Sequence, residues 1–217
     1  AIDGVAVHTA WDIGRKDYTS IWFFQTLPGR IRVVGFYQNT GYGMPHYAEY
    51  VRDRFTREGR AQCGHAFPHD ARVTEWGTNK SRIEQLVGEG IEPTICPEIG
   101  LQDGINAVRS ILPVCEFDAE GCEEGLKVLK AYRREWDEHL SMFKNQPRHD
   151  WASHGADAFR YLAVSHRDMA AFVPLRAGSK PKELVLTADE NGIVHANFND
   201  VREYIEMKKR KRLAEMG

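Results

Sequence analysis

Three aspartates stand at positions where carboxylates can bind metal ions together. Asp12 and Asp70 follow short apolar runs typical of β-strands, and Asp157 lies in a helical stretch. If the two strands are parallel neighbours, their carboxyl ends meet at one edge of a sheet, where a packed helix can bring Asp157. Three carboxylates in one place repel each other, and divalent cations remove that conflict. All-oxygen ligands favour Mg²⁺ or Mn²⁺, and two such ions about 4 Å apart can clamp a reacting phosphodiester. Aspartates at strand ends are also common turn residues, so each one taken singly has that simpler explanation.

The helical stretch around Asp157 has a polar face. Asp150, His154, Asp157 and Tyr161 are spaced four, three and four residues apart, which places them on one side of a helix. Several alanines surround this face, so the helix can lie close to its neighbour. A carboxylate on such a helix needs compensation by a metal, a basic partner or water. We predict a helix over about residues 150–170, with Asp150 better explained as its cap than as a ligand.

The order of the other predicted elements indicates a mixed sheet. Residues 5–13, 20–26 and 31–38 are strands joined by short turns, which predicts an antiparallel meander. The later strands alternate with helices, and helical crossovers favour parallel pairing. The expected later elements are helix 46–57, strand 62–67, helix 81–87, strand 91–96, helix 101–112, extended segment 114–117 and a long helix 121–139. We therefore expect a mixed α/β sheet with helices on both faces.

The composition restricts the class of protein. With 217 residues, 42% of them hydrophobic and 28% charged, the chain suits one large globular domain or a domain with an appendage. The net charge of -2 means that nucleic-acid binding would depend on local basic patches. No apolar run approaches the roughly 20 residues that span a bilayer. The four cysteines form no CxxC pair and no zinc-ligand spacing with histidines, as expected for reduced thiols of an intracellular protein.

The pattern changes after Pro174. Residues 178–181 look like a linker, and two β-rich segments flank the turn at residues 189–192, which predicts a hairpin. A basic run, Lys208–Arg212, follows in a helical segment. We therefore divide the chain into a domain at residues 1–174 and an appendage, hairpin and basic helix, at residues 175–217.

The three aspartates lie in three extended motifs. These are Val7-His8-Thr9-Ala10-Trp11-Asp12-Ile13-Gly14, Pro68-His69-Asp70-Ala71, and the run from His149 to Tyr161. In this order, with shorter matches at residues 77–81, 103–109 and 132–136, they resemble the nuclease domain of tailed-bacteriophage large terminase subunits over roughly residues 5–165. The resemblance implies a ribonuclease H-like fold whose acidic triad, Asp12, Asp70 and Asp157, binds two divalent ions, Mg²⁺ or Mn²⁺. Asp12 and Asp157 would hold one ion, and Asp12 and Asp70 the other. The implied activity is cleavage of concatemeric double-stranded viral DNA during genome packaging.

The resemblance also implies partners and a location. Large terminases carry a packaging ATPase domain, but this sequence contains no G-x-x-x-x-G-K-[ST] phosphate loop, so we expect the nuclease half alone. The implied partners are that ATPase domain, the small terminase subunit and the portal protein. The implied location is the host cell cytoplasm, in the packaging motor and not in the mature virion.

Polar neighbours of the triad are candidates for supporting roles. Asp17 is either an outer metal partner or a turn cap. Asp150 has the same two possible roles, and capping is the preferred one. His154 lies one helical turn before Asp157 and either orients water or a phosphate, or packs beside the metal ligands. Basic residues near the predicted site are candidate DNA phosphate contacts, although each alone is an ordinary surface charge. They are Lys16, Arg72, Lys80, Arg82 and Arg148.

Two alternatives stay open. A Holliday-junction resolvase, or another ribonuclease H-like nuclease, would use the same fold and would prefer four-way junctions or RNA–DNA hybrids over plain duplex. A docking module with a degenerate site would bind the portal or the small subunit through the hairpin and basic helix after Pro174.

Overall fold

The structure, a computed structural model, describes residues 1–14, 17–59, 62–72, 81–170, 187–188 and 194–195. The chain divides into two compact units, Ala1–Pro174 and Leu175–Gly217. In the second unit, Thr187–Ala188 pairs antiparallel with Val194–His195, as expected for the predicted hairpin. The predicted linker at residues 178–181 and the basic run Lys208–Arg212 lie outside the described residues.

A six-stranded mixed sheet forms the centre of the first unit. Its strands are β1 (Val7–Asp12), β2 (Thr19–Leu27), β3 (Arg30–Asn39), β4 (Gln62–Phe67), β5 (Pro93–Ile95) and β6 (Cys115–Phe117). They lie in the order β5-β4-β1-β2-β3-β6. β1, β2 and β3 form the predicted antiparallel meander, whereas β4 pairs parallel to β1, β5 to β4 and β6 to β3. The predicted fold class, a mixed sheet of three antiparallel strands followed by parallel strands, is confirmed.

Both faces of this sheet are buried. Side chains alternate along β2 and enter a separate core on each face. Ile21 and Phe23 face one core, and Trp22 and Phe24 face the other, all without exposed surface. Burying each of these side chains contributes about 1.5–3 kcal/mol. Each face therefore needs a covering layer of helices.

Helices of the described region supply those layers. They are α1 (Met44–Arg57), α2 (Arg82–Gly88), α3 (Leu101–Ile111), α4 (Glu123–Ala131) and α5 (Ser153–Ala170). α1 and α2 contribute to the core containing Phe23, and α3, α4 and α5 to the core containing Trp22. α2 begins with a capping box, in which Ser81 Oγ accepts from Glu84 N at 3.2 Å and Glu84 Oε2 accepts from Ser81 N at 2.6 Å. Within the described ranges, no helix combines the length and apolar character needed to cross a membrane.

α5 packs closely against β2 and α4 through small residues, as expected from the sequence. The backbone carbonyl of Gly155 accepts a hydrogen bond from Trp22 Nε1 at 2.8 Å. A Cβ at Gly155 would lie 2.6 Å from a methyl carbon of Val128, so no larger residue fits without movement. The alanines in the helix and just before it are likewise buried: Ala152, Ala156, Ala158 and Ala163. This close approach brings the polar face of α5 to the edge of the sheet.

The predicted long helix at residues 121–139 is wrong. α4 ends at Ala131, and the chain continues as an antiparallel hairpin of β7 (Arg134–Asp137) and β8 (Met142–Pro147). The helical spacing of Leu126, Leu129 and Trp136 suggested one helix, but only the two leucines reach the core. Trp136 is 49% exposed and packs edge-to-face on Phe143 across the hairpin. Cross-strand pairing therefore prevails where the helix would have no apolar surface to cover.

Three cysteine side chains lie in the described part of the chain. Cys96, Cys115 and Cys122 are free. Burial raises the pKa of these thiols to about 12, 11 and 12. They are therefore protonated and unreactive near neutral pH.

Candidate active site

Sheet topology places Asp12 and Asp70 at one edge. β1 and β4 are parallel neighbours in which Ala10 pairs with Ala66. Asp12 is the last residue of β1, and Asp70 lies in the 3₁₀ turn His69–Arg72 that follows β4. Both carboxylates therefore leave the carboxyl ends of adjacent parallel strands, the position at which open α/β sheets bind ligands.

α5 contributes the third carboxylate, Asp157. Its Oδ1 lies 3.0 Å from Nε of Arg160, one turn further along the helix, in an ion pair that lacks the alignment of a hydrogen bond. Burial raises the pKa of Asp157 to about 6, Asp12 adds to this increase, and the charges of Arg160 and His154 oppose it. Arg160 alone therefore does not compensate for the buried carboxylate.

Tyr161 of α5 lies near the carboxylates. Burial is the main cause of the raised pKa of its phenol, and the negative charges of Asp12, Asp157 and Asp70 each raise it further. The phenol of Tyr161 therefore lies within electrostatic range of all three carboxylates. β1 and β4 thus bring Asp12 and Asp70 to one sheet edge, and α5 places Asp157 near Asp12. A single site formed by all three carboxylates stays a prediction.

The donor set fits a hard divalent cation. Asp12, Asp70 and Asp157 offer only carboxylate oxygens, the ligands preferred by Mg²⁺ and Mn²⁺. The raised pKa of Asp157 marks a position where negative charge is under-compensated by the protein itself. A cation held there would remove that penalty.

His154 contacts the site directly. Its Nδ1 lies 2.9 Å from Oδ2 of Asp12, and the two side chains are only 12% and 17% exposed. This hydrogen bond is the main cause of the raised pKa of His154, and the charges of Asp12, Asp17 and Asp157 act in the same direction. His154 therefore orients the carboxylate of Asp12. Asp17, in the connection between β1 and β2, lies beside His154 as a potential outer partner.

The end of β1 is held in place from two sides. A Cβ at Gly14 would lie 2.5 Å from the carbonyl oxygen of Tyr18, so the chain can turn this tightly only with glycine. Arg82 is 7% exposed and donates from Nη1 to the carbonyl of Ile13 at 2.8 Å. The prediction that Arg82 contacts DNA does not fit this position, because the buried guanidinium fixes the backbone next to Asp12.

The remaining predicted neighbours fall into two groups. Asp150 precedes α5 and accepts from Ala152 N at 3.0 Å, which is the capping-type role preferred for it. Arg148 is exposed, and its Nε lies 3.6 Å from Oδ2 of Asp150. Its guanidinium is therefore accessible from solvent. Lys16, Lys80 and the side chain of Arg72 lie outside the described residues, and their DNA contacts stay predictions.

A basic cavity beside Asp157 was not predicted. It has a volume of about 440 Å³ and lies among α3, α5 and the β7–β8 hairpin. Its arginines are Arg109, Arg133, Arg134 and Arg160. Tyr132 also lines it, and burial, together with the charge of Asp157, raises the pKa of this tyrosine to about 12. No local pattern indicated this cavity, because its arginines come from separate elements and the hairpin lies where a helix was predicted.

Known structures share this architecture. No protein-family model and no curated protein matches the sequence. The large terminase of a thermophilic bacteriophage superposes with a TM-score of 0.59 at 19% identity, covering 75% of this chain and 40% of that one. The nuclease domain of the P22 large terminase matches with a TM-score of 0.59 at 15% identity, covering 78% and 87%. The SPP1 large terminase nuclease domain, solved with bound Mn, matches with a TM-score of 0.55 at 15% identity, covering 77% and 89%.

The chain has the fold of a large terminase nuclease domain. It spans less than half of the large terminase from the thermophilic bacteriophage but most of each isolated nuclease domain. The predicted resemblance to large terminase nuclease domains is thereby confirmed at the level of architecture.

Proposed function

We propose that this protein is a metal-dependent endonuclease that cleaves concatemeric double-stranded DNA during viral genome packaging. The observation that carries the proposal is the placement of Asp12 and Asp70 at the carboxyl ends of the parallel neighbours β1 and β4, with Asp157 of α5 near Asp12. The shared fold with phage large terminase nuclease domains supports the same function.

The carboxylates have distinct proposed roles. Asp12 and Asp157 would hold one divalent ion and Asp12 and Asp70 a second, so Asp12 is shared. Bound there, two Mg²⁺ or Mn²⁺ ions supply the Lewis acidity for in-line phosphodiester hydrolysis. His154 keeps one oxygen of Asp12 in a fixed direction. Arg160 reduces the charge repulsion at Asp157 until the ions bind.

The arginine-lined cavity supports a DNA-binding role. Arg160 belongs both to this cavity and to the ion pair with Asp157, so the cavity adjoins the proposed cleavage site. Arg109, Arg133 and Arg134 are exposed and carry charges that suit phosphate oxygens. Binding through the phosphate backbone tolerates many sequences and weakens steeply with salt.

The wider setting is inferred from the longer protein that shares the fold. The large terminase of the thermophilic bacteriophage extends well beyond the region matched by this chain. We infer that this nuclease acts with a packaging ATPase domain, a small terminase subunit and a portal protein, within a packaging motor in the host cytoplasm.

Plasmid cleavage tests the proposed activity. The chain should nick and linearise plasmid DNA with Mn²⁺ or Mg²⁺ and lose this activity in EDTA. Asp12→Ala, Asp70→Ala and Asp157→Ala should each abolish it. Asp53→Ala is the matched control, because Asp53 is an exposed aspartate on α1, whose buried side chains belong to the other core. Unchanged cleavage in a triad variant would remove that residue from the catalytic set.

The same assay separates the alternatives. Faster cleavage of four-way junctions or RNA–DNA hybrids than of plain duplex would identify a resolvase or another ribonuclease H-like nuclease. Absence of cleavage with every metal, combined with capture of a portal or small terminase subunit, would identify a docking module.

A further inference from the structure

A second group of potential metal ligands lies beside the carboxylate site. One ligand atom each from Asp17, His149 and His154 lies within 4.8 Å of the other two. Asp17 comes from the connection between β1 and β2, and the histidines come from the start of α5 and the residues just before it. The group differs from the acidic triad in composition, because two of its three ligands are imidazoles.

Hydrogen bonds orient both histidines. His154 Nδ1 is engaged by Asp12 Oδ2 at 2.9 Å, which leaves Nε2 as its available nitrogen. His149 Nδ1 lies 3.1 Å from Ser153 Oγ, so its Nε2 is likewise the available atom. The two rings meet nearly edge to face, with centroids 5.3 Å apart. A carboxylate bonded to the far nitrogen of a histidine is the arrangement that typically supports a metal-binding imidazole.

From this geometry we propose a separate metal site formed by Asp17, His149 and His154, which takes a transition ion of the Zn²⁺, Co²⁺ or Ni²⁺ class. Two imidazoles and one carboxylate suit such ions better than Mg²⁺, which prefers oxygen ligands. Asp17 and His149 are exposed, so an ion can enter from solvent and keep water in its remaining positions. Through His154, the ion would be coupled to Asp12 without displacing it.

A bound ion would join two parts of the active-site wall. It would tie the connection after β1 to the start of α5 and hold His154 against Asp12. The site would thus stabilise the orientation of Asp12, which is a positioning role. The inference rests on the positions of these side chains and does not require the proposed nuclease activity.

Calorimetric titration with Zn²⁺ in a large excess of Mg²⁺ tests the site, because Mg²⁺ occupies oxygen-only ligands. The wild-type chain should bind one more Zn²⁺ than His149→Ala or Asp17→Asn. His139→Ala, which removes an exposed histidine from the hairpin, should bind Zn²⁺ as the wild type does. Asp12→Asn should keep the site but weaken it roughly 10- to 100-fold, the usual effect of losing the partner of a metal-bound histidine.

The visible spectrum of Co²⁺ bound in place of Zn²⁺ provides a second readout, since imidazole ligation changes it. Equal Zn²⁺ stoichiometry and affinity in the wild type and His149→Ala, with both proteins folded by circular dichroism, would overturn the proposal. Loss of plasmid cleavage in the triad variants is a separate result, so failure of one proposal does not decide the other.

Discussion

Replacing Asp157 with asparagine should stabilise the metal-free protein while removing a proposed metal ligand. The carboxylate is held in an environment that raises its pKa from 3.8 to about 6, chiefly because it is buried. Keeping it ionised at about pH 7 therefore costs up to about 3 kcal/mol of folding free energy. Its side chain is 28% exposed, and water screens part of this penalty. We expect Asp157→Asn to gain about 1.5 kcal/mol, which corresponds to an increase of roughly 3–6 °C in Tm.

The pH dependence of this gain has a definite sign. Because the folded pKa is raised, the carboxyl imposes no penalty below its ordinary value, and the penalty grows as pH rises through about 6. The advantage of Asp157→Asn should therefore be largest near pH 7 and nearly vanish near pH 4. Urea denaturation in EDTA at both pH values measures it. Asp53→Asn, an exposed aspartate on α1, should change stability little at either pH.

Divalent ions should reverse the order of stability of wild type and Asp157→Asn. Mn²⁺ bound at the proposed site should raise the stability of the folded wild type, whereas Asp157→Asn should gain much less, because ligand binding stabilises only the state that binds. A variant that is no more stable than wild type near pH 7 in EDTA would refute the reasoning. So would an advantage that stays constant from pH 7 to pH 4.

Three further predictions concern the scaffold. Gly125→Ala should lose about 1–3 kcal/mol, because its Cβ would press on Trp22 and lie 2.7 Å from Phe36, whereas Gly88→Ala meets no atom within 4 Å and should be nearly neutral. Urea denaturation of both variants checks this, and equal stabilities would contradict it. Acid should destabilise the fold by about 2 kcal/mol per histidine near pH 5, because burial lowers the pKa of His8 to about 4 and of His65 to about 3 from an ordinary 6.5. The two neutral histidines therefore stabilise the fold fully above pH 6.5 and less as the pH falls. Urea denaturation of Asp157→Asn, which lacks the carboxyl with the opposite pH dependence, should show this loss of stability clearly. A stability that stays constant with pH would exclude it. Ser81→Ala should lose about 1 kcal/mol through the capping box of α2, and an unchanged urea midpoint would show that the cap contributes nothing.

The strands and their aspartates could be predicted because local patterns determine them. β4 occupies residues 62–67 as predicted, and Asp12 ends β1 as its apolar run indicated. Short turns required β1, β2 and β3 to be neighbours, and helical crossovers required the later strands to be parallel. These constraints alone place Asp12 and Asp70 at the same sheet edge.

The rest of the site depends on tertiary packing that no local pattern reports. Helical spacing selected four polar residues, but only tertiary packing separates Asp157, which lies near Asp12, from Asp150, which lies in the turn before α5. The hairpin after Ala131 was missed because Trp136 happened to continue a helical spacing. His149 was missed because its proximity to Asp17 arises only after the loop and the helix have folded together.

Anomalous scattering from a crystal soaked in Mn²⁺ tests the central claim most directly. Two peaks should lie at the carboxyl ends of β1 and β4, one between Asp12 and Asp157 and one between Asp12 and Asp70. Both should disappear in Asp12→Asn, because Asp12 is the shared ligand. Density for Mn²⁺ elsewhere, with none at these three carboxylates, would contradict the account.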